Sequence, residues 1–134
     1  ESDNWQKVIA VNLDSGFFAA KFQIPALRRR GCGSIVFTAS FVGHTVGLPG
    51  MGAYAAAKAG LIGMTQVLAA EHGSENIRVN ALLPGGTMTS IHALKRMAEP
   101  TEIAAAAQFL LSDDASFVTG SAMLADGGNS ISKF

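Results

Sequence analysis

Two short apolar, β-branched runs, Ser34–Ser40 and Ile77–Leu83, are separated by a helix-length segment rich in Ala, Leu and Met, and this constrains the fold more than any other feature. Strands linked by a helical crossover lie parallel in one sheet. The segment Ala53–Ala70 has the composition of a strong helix, and His72-Gly73 closes it. The alternation continues on both sides. Upstream, Ser2 or Asp3 is a plausible N-cap for a helix through Trp5, Val8, Ile9, Leu13 and Phe17 toward Leu27, whose apolar spacing of three or four buries one face. Pro25 falls near its last turn, Arg28–Arg30 suit the negative end of the helix dipole, and Gly31 stops it. Downstream, Pro100 and Thr101 open a helix through Ile103, Ala107, Phe109, Leu110 and Leu111, with Glu102 in the first turn. Val118–Asp126 contains a third strand ahead of Gly127-Gly128. Helix, strand, helix, strand, helix, strand predicts an α/β fold with a parallel sheet.

With 134 residues there is room for one domain or part of one. Hydrophobic residues at 49% against 15% charged exclude a disordered tail. Ten basic and ten acidic side chains cancel, so no long-range field attracts nucleic acid or a membrane surface. The basic triplet Arg28–Arg30 reads as a solvated helix end. No apolar run reaches the roughly 18 residues of a membrane span. Cys32 has no disulfide partner and there is no zinc-type spacing, which points to a reducing, cytoplasmic setting. Residue 1 is Glu and the chain starts inside a helical pattern, so part of a longer gene product is expected.

In a parallel sheet, ligands bind beyond the carboxyl ends of the strands. Ser40 and the Pro84-Gly85 turn lie at two such ends. Tyr54 and Lys58, four apart, share one helix face. An ammonium beside a phenol favours phenolate and equips it for acid/base work, although Tyr-x-x-x-Lys alone occurs by chance on many helices. Other candidates read more plainly. Cys32 is a tolerated small residue, His72 a surface residue at a helix end, and His44 a solvated loop residue. Asn80 and Asp126 fix strand-end turns. His92 carries no reading of its own. Gly43, Gly47, Gly50 and Gly52 mimic a dinucleotide fingerprint between a strand and a helix.

Taken in order, Asn12-Leu13, Gly33–Val36 ending at Ser40, Tyr54-x-x-x-Lys58-Ala59-Gly60, Ile77–Asn80 with Pro84-Gly85, and Asp126-Gly127-Gly128 resemble the short-chain dehydrogenase/reductase family over nearly the whole chain. The resemblance implies a Rossmann-like doubly wound sheet, and hydride transfer between NAD or NADP and a secondary alcohol or ketone. Tyr54 matches the general acid/base and Lys58 the residue that assists it and holds the nicotinamide ribose. Ser40 matches the hydroxyl that orients the substrate oxygen, fourteen positions before Tyr54 where thirteen is common. Asn12 matches the helix residue whose backbone holds a relay water. Pro84, Gly85, Thr87 and Thr89 match the turn contacting the nicotinamide amide and adjacent phosphate. The resemblance also places a substrate-side loop at Gly43–Gly52, which removes the fingerprint reading. β-Ketoacyl reductases and sugar or cyclic-alcohol dehydrogenases are the nearest substrate guesses.

The family opens with a strand and a Thr-Gly-x-x-x-Gly-x-Gly turn, so residues 1–134 correspond to the C-terminal part of one such domain, with about 85–90 residues expected before Glu1. The cofactor-selecting residues fall in that part. A lid over the substrate is shortened by about 20 residues after Thr89. A break between nominal neighbours within Thr89–Ala93 is therefore expected, and an isolated piece of this kind is expected to be unstable or to aggregate. Family helices carrying Asn12 and Tyr54 pair across a two-fold axis. Ala56, Ala59, Gly60 and Gly63 would allow close approach and Phe17 and Phe18 would add apolar area, so a homotetramer or homodimer is expected. The competing reading is a non-catalytic binding or scaffold protein derived from the family.

Overall fold

Apolar side chains at every second position require one face of each strand to be covered, and both faces of this sheet are. The computed structural model describes residues 2–86 and 92–132. Strand β1 (Gly33–Thr38) pairs in parallel with β2 (Ile77–Pro84), from Gly33 opposite Ile77 to Thr38 opposite Leu82. Strand β3 (Ala122–Ala125) continues the parallel sheet on the far side of β2, starting with Ala122 opposite Ala81. The sheet order is β1-β2-β3, and each step crosses through a helix: α3 (Gly52–His72), then α4 (Pro100–Leu111).

Ile35, Phe37, Ile77, Val79, Ala81 and Leu83 face one side and form the core with α3 and the N-terminal helix. The alternate positions face α4. There Ser34 Oγ donates to Leu110 O (3.0 Å), and Arg78 donates to Leu110 O (2.8 Å), Val118 O (3.3 Å) and Ser112 O (2.9 Å). Leu110 O and Ser112 O lie at the end of α4, where carbonyls lack intrahelical donors. Asn80, fully buried, donates to Val118 O (2.9 Å) and accepts from Ser121 N (3.1 Å), so it fixes the entry to β3 from within β2 and not a turn at the end of its own strand.

The N-terminal helix is not one regular helix. It comprises α1 (Ser2–Ile9), a π-helical turn (Ala10–Asp14) and α2 (Ser15–Arg30), and the Ser15 N–H reaches back five residues to Ala10 O. Ser2 and Asp3 are already helical, so neither is the expected N-cap. Pro25 lies inside α2, which runs on to Arg30 before Gly31, at φ 82°, ends it. A Cβ on Gly16 would stand 2.7 Å from Leu61 Cδ2, and one on Gly60 would stand 3.0 Å from Leu13. Gly60, expected to admit a second copy, instead admits Leu13 of its own chain; Gly63 and Ala56 remain exposed. His72 is also more enclosed than a surface residue. Its Nδ1 lies 3.1 Å from Glu75 Oε2, which accepts from Arg28 Nε at 2.9 Å. Residues 87–91 lie outside the described residues, and with them Thr87, Thr89 and most of the segment where a break was expected.

Candidate active site

A strand end, a loop and a helix converge to build the site. Beyond Thr38, Ala39 N donates to Leu82 O (2.8 Å) and extends the β1–β2 ladder by one step. Ser40 follows, nearly enclosed, with its Oγ accepting the Val42 N–H at 3.2 Å. The chain then turns tightly, with the N–H groups of His44 and Thr45 both donating to Phe41 O. His44 is exposed, as a solvated loop residue should be. Gly43, at φ 85°, faces the backbone of Ala55, so a Cβ there would stand 2.9 Å from the Ala55 carbonyl carbon. The loop thus bears directly on the first turn of α3, one residue from Tyr54.

Tyr54 and Lys58 sit one turn apart on α3. Lys58 Nζ lies 5.5 Å from the centroid of the Tyr54 ring and donates to Thr38 O at 2.9 Å. Burial lowers the Lys58 pKa from its ordinary value, since partial enclosure disfavours the ammonium. The Thr38 carbonyl has no sequence signature, because it is a main-chain atom at a strand terminus. Among the described residues, the Tyr54 hydroxyl bonds to neither Ser40 nor Lys58. Asn12 lies within the π turn, which packs against α3, and its Nδ2 donates to Val8 O at 3.0 Å.

Pro84 and Gly85 end β2, where the Gly85 N–H donates to Ala125 O at 3.1 Å. They line a cavity of about 470 Å³ at the carboxyl ends of β2 and β3, shared with Gly86, His92, Leu124 and Asp126. Burial opposes ionisation of Asp126, but bonds from Ser130 and Gly128 outweigh it and hold the carboxyl below its usual range. Asp126 therefore fixes the turn after β3, as the sequence implies. His92, only 2% exposed, was not identified from sequence, and no local pattern marks it. The donor set suits a nicotinamide nucleotide. Lys58 commits one of three ammonium protons to Thr38 O, which leaves donors for a ribose diol, and the β2 terminus presents glycine backbone without side chains. No helix among the described residues is long and apolar enough to cross a membrane.

Comparison with known proteins matches residues 1–100 to the short chain dehydrogenase family and residues 86–130 to Enoyl-(Acyl carrier protein) reductase. The chain is 39% identical to cyclohexanol dehydrogenase of Acinetobacter sp. (strain SE19), covering 93% of this chain and 54% of that protein. It is 43% identical to 2,5-dichloro-2,5-cyclohexadiene-1,4-diol dehydrogenase of Sphingobium indicum (strain B90A), covering 94% and 58% respectively. That alignment spans 145 residues, more than this chain contains, so the relative carries residues within the matched region that are lacking here. Among solved structures, 4-hydroxyisoleucine dehydrogenase complexed with NADH and succinate is 36% identical with a TM-score of 0.90, covering 98% of this chain and 62% of that one. The chain spans little more than half the length of the two curated relatives.

Proposed function

The chain belongs to the short-chain dehydrogenase/reductase family, and from that premise we propose that it serves an oxidoreductase interconverting a secondary alcohol and a ketone with NAD or NADP. The observation that carries this reading is the placement of Lys58 between the Tyr54 ring and Thr38 O at the carboxyl end of β1. In the oxidative direction, Tyr54 Oη accepts the proton of the substrate hydroxyl, and in reduction it returns that proton to the carbonyl oxygen. Ser40 Oγ already accepts the Val42 N–H, so its own proton is left to donate to the substrate oxygen and orient it. Lys58 stands beside the phenol and holds the ribose. The Asn12 backbone holds a water that carries the proton onward toward solvent. Pro84 and Gly85 meet the nicotinamide amide and adjacent phosphate. When bound, the nicotinamide supplies or accepts the hydride.

The matched cyclohexanol and cyclohexadiene-diol dehydrogenases favour a cyclic secondary alcohol as substrate. For assembly, Phe17, Phe18 and Phe22 on α2 are each at least half exposed, and the first two rings pack edge to face at 5.4 Å. Such apolar area on the N-terminal helix supports a homodimer or homotetramer. The test is spectrophotometric: cyclohexanol and other cyclic secondary alcohols with NAD⁺ or NADP⁺, and the corresponding ketones with the reduced cofactors, followed by reduced-nicotinamide absorbance. Turnover of at least one pair is expected. No change with any pair in either direction would overturn the assignment.

A further inference from the structure

His92 is enclosed between glycines that come from two different strand ends. A Cβ on Gly85 would stand 2.9 Å from His92 Nε2, and one on Gly127 would stand 3.2 Å from its Cδ2. Next to it, a Cβ on Gly128 would stand 2.7 Å from Ala93 Cβ. Gly85 is crowded on its other side too, where a Cβ would stand 2.8 Å from Asp126 Cα. Three glycines therefore form a seat for the residues at 92 and 93. The segment is tied down by Leu94 N donating to Gly127 O (3.1 Å) and Lys95 N to His92 O (3.0 Å). Further along, Arg96 makes two bonds to the Glu102 carboxylate at the start of α4, at 2.6 and 2.7 Å.

Gly85 N to Ala125 O is the last step of the β2–β3 ladder, so the peptide beyond it depends on packing to hold its orientation. The packing there is the His92 imidazole on one side and the Asp126 backbone on the other. We propose that His92 is a positioning residue for the cofactor end of the site, a wedge that holds the Pro84–Gly86 turn ready for the nicotinamide amide. This rests on the reading of that turn given above. A preformed turn spares the ordering entropy that a loose one would lose on binding.

The experiment measures NADH and NADPH affinity by fluorescence titration, kcat at saturating cofactor, thermal stability, and amide hydrogen exchange at Gly85 and Gly86. His92→Ala should weaken nucleotide binding by roughly tenfold, with kcat at saturation changed by less than about threefold. Exchange at the two glycines should rise in parallel. His92→Gln, which keeps bulk and polarity and guards against misfolding of the alanine variant, should restore most of the affinity. Leu110→Ala, which disturbs the core beneath α4, should lower thermal stability while leaving affinity unchanged. Affinity within twofold of the parent in both His92 variants, or an equal loss in Leu110→Ala, would overturn the proposal. A parent protein that binds neither nucleotide overturns the cofactor reading itself, whereas normal parent binding with indifferent His92 variants sinks only the wedge.

Discussion

Lys58 holds its ammonium 5.5 Å from the centre of the Tyr54 ring, one helical turn away, while anchored to the last carbonyl of β1. Two elements distant in sequence, β1 and α3, are thereby tied together. Replacing Tyr54 by Phe removes the hydroxyl proposed to carry the proton and leaves the ring to pack as before. Turnover should fall by roughly 10²–10⁴-fold with nucleotide binding largely unchanged. A Tyr54→Phe protein keeping more than about a tenth of the parent kcat would refute the acid/base role.

The ammonium of Lys58 is held at a cost, since burial lowers its pKa below the ordinary 10.5. The unfolded chain therefore binds this proton more tightly than the native one, and stability rises with pH between the depressed native value and 10.5. Lys58→Met should lose activity at every pH. Its thermal stability relative to the parent should be most favourable near neutrality and decline as pH rises through that window. A stability difference that does not vary with pH would contradict the burial argument.

Glu102 has the opposite sign. Hydrogen bonds from Arg96 and from the Glu99 N–H hold its pKa at about 2, against 4.5 unperturbed. Its contribution is thus fully present above 4.5 and disappears as pH falls through about 2. Glu102→Gln should be less stable than the parent at neutral pH, and the two melting curves should converge in acid. Both side chains are half exposed, so the difference should also shrink with added salt.

Gly43→Ala tests the loop that carries Ser40. The position has φ 85°, and a Cβ would collide with the backbone of Ala55, which cannot move aside as a side-chain tip could. A loss of about 2–4 kcal/mol is expected from strain and overpacking together. Because the collision falls beside Tyr54, kcat should drop even well below the melting temperature. Denaturant melts and activity at low temperature would check both effects.

The exposed phenylalanines make assembly measurable. At micromolar concentration, the protein should sediment as a dimer or tetramer, and Phe22→Glu, at a side chain 73% exposed, should shift it toward monomer without lowering its melting temperature when monomeric. Monomeric sedimentation of the parent would count against the pairing of these helices.

The periodic elements were legible because their causes are local. Pro100 at the first turn and the apolar run to Leu111 set both ends of α4, and the two β-branched runs set β1 and β2 to within two residues. Tyr54, Lys58 and Ser40 were legible as a spaced set. What could not be read depends on distant partners. Lys58 meets a carbonyl twenty positions upstream, Gly60 makes room for Leu13, and His92 is enclosed by Gly127, from beyond α4. The π turn was invisible for another reason: apolar spacings of three or four tolerate a slip of one residue without losing their face.

That slip gives the N-terminal helix the geometry of a one-residue insertion. Deleting any single residue within Ala10–Asp14 would let the ladder close as a regular α-helix and preserve its hydrogen bonding. Because the wider π turn sweeps about the rotation that an α-helix makes with one residue fewer, the side chains before and after the deletion would keep nearly their present faces. Val8 and Ile9 would keep their present half-buried positions, and Leu13, unless it is the residue removed, would stay near Gly60. The extra residue therefore lets two lengths of helix whose apolar stripes are offset by one position in sequence present a single face to α3. A one-residue deletion here should therefore be tolerated better than one in the regular turns on either side: full helix content by circular dichroism, with the same face still turned inward.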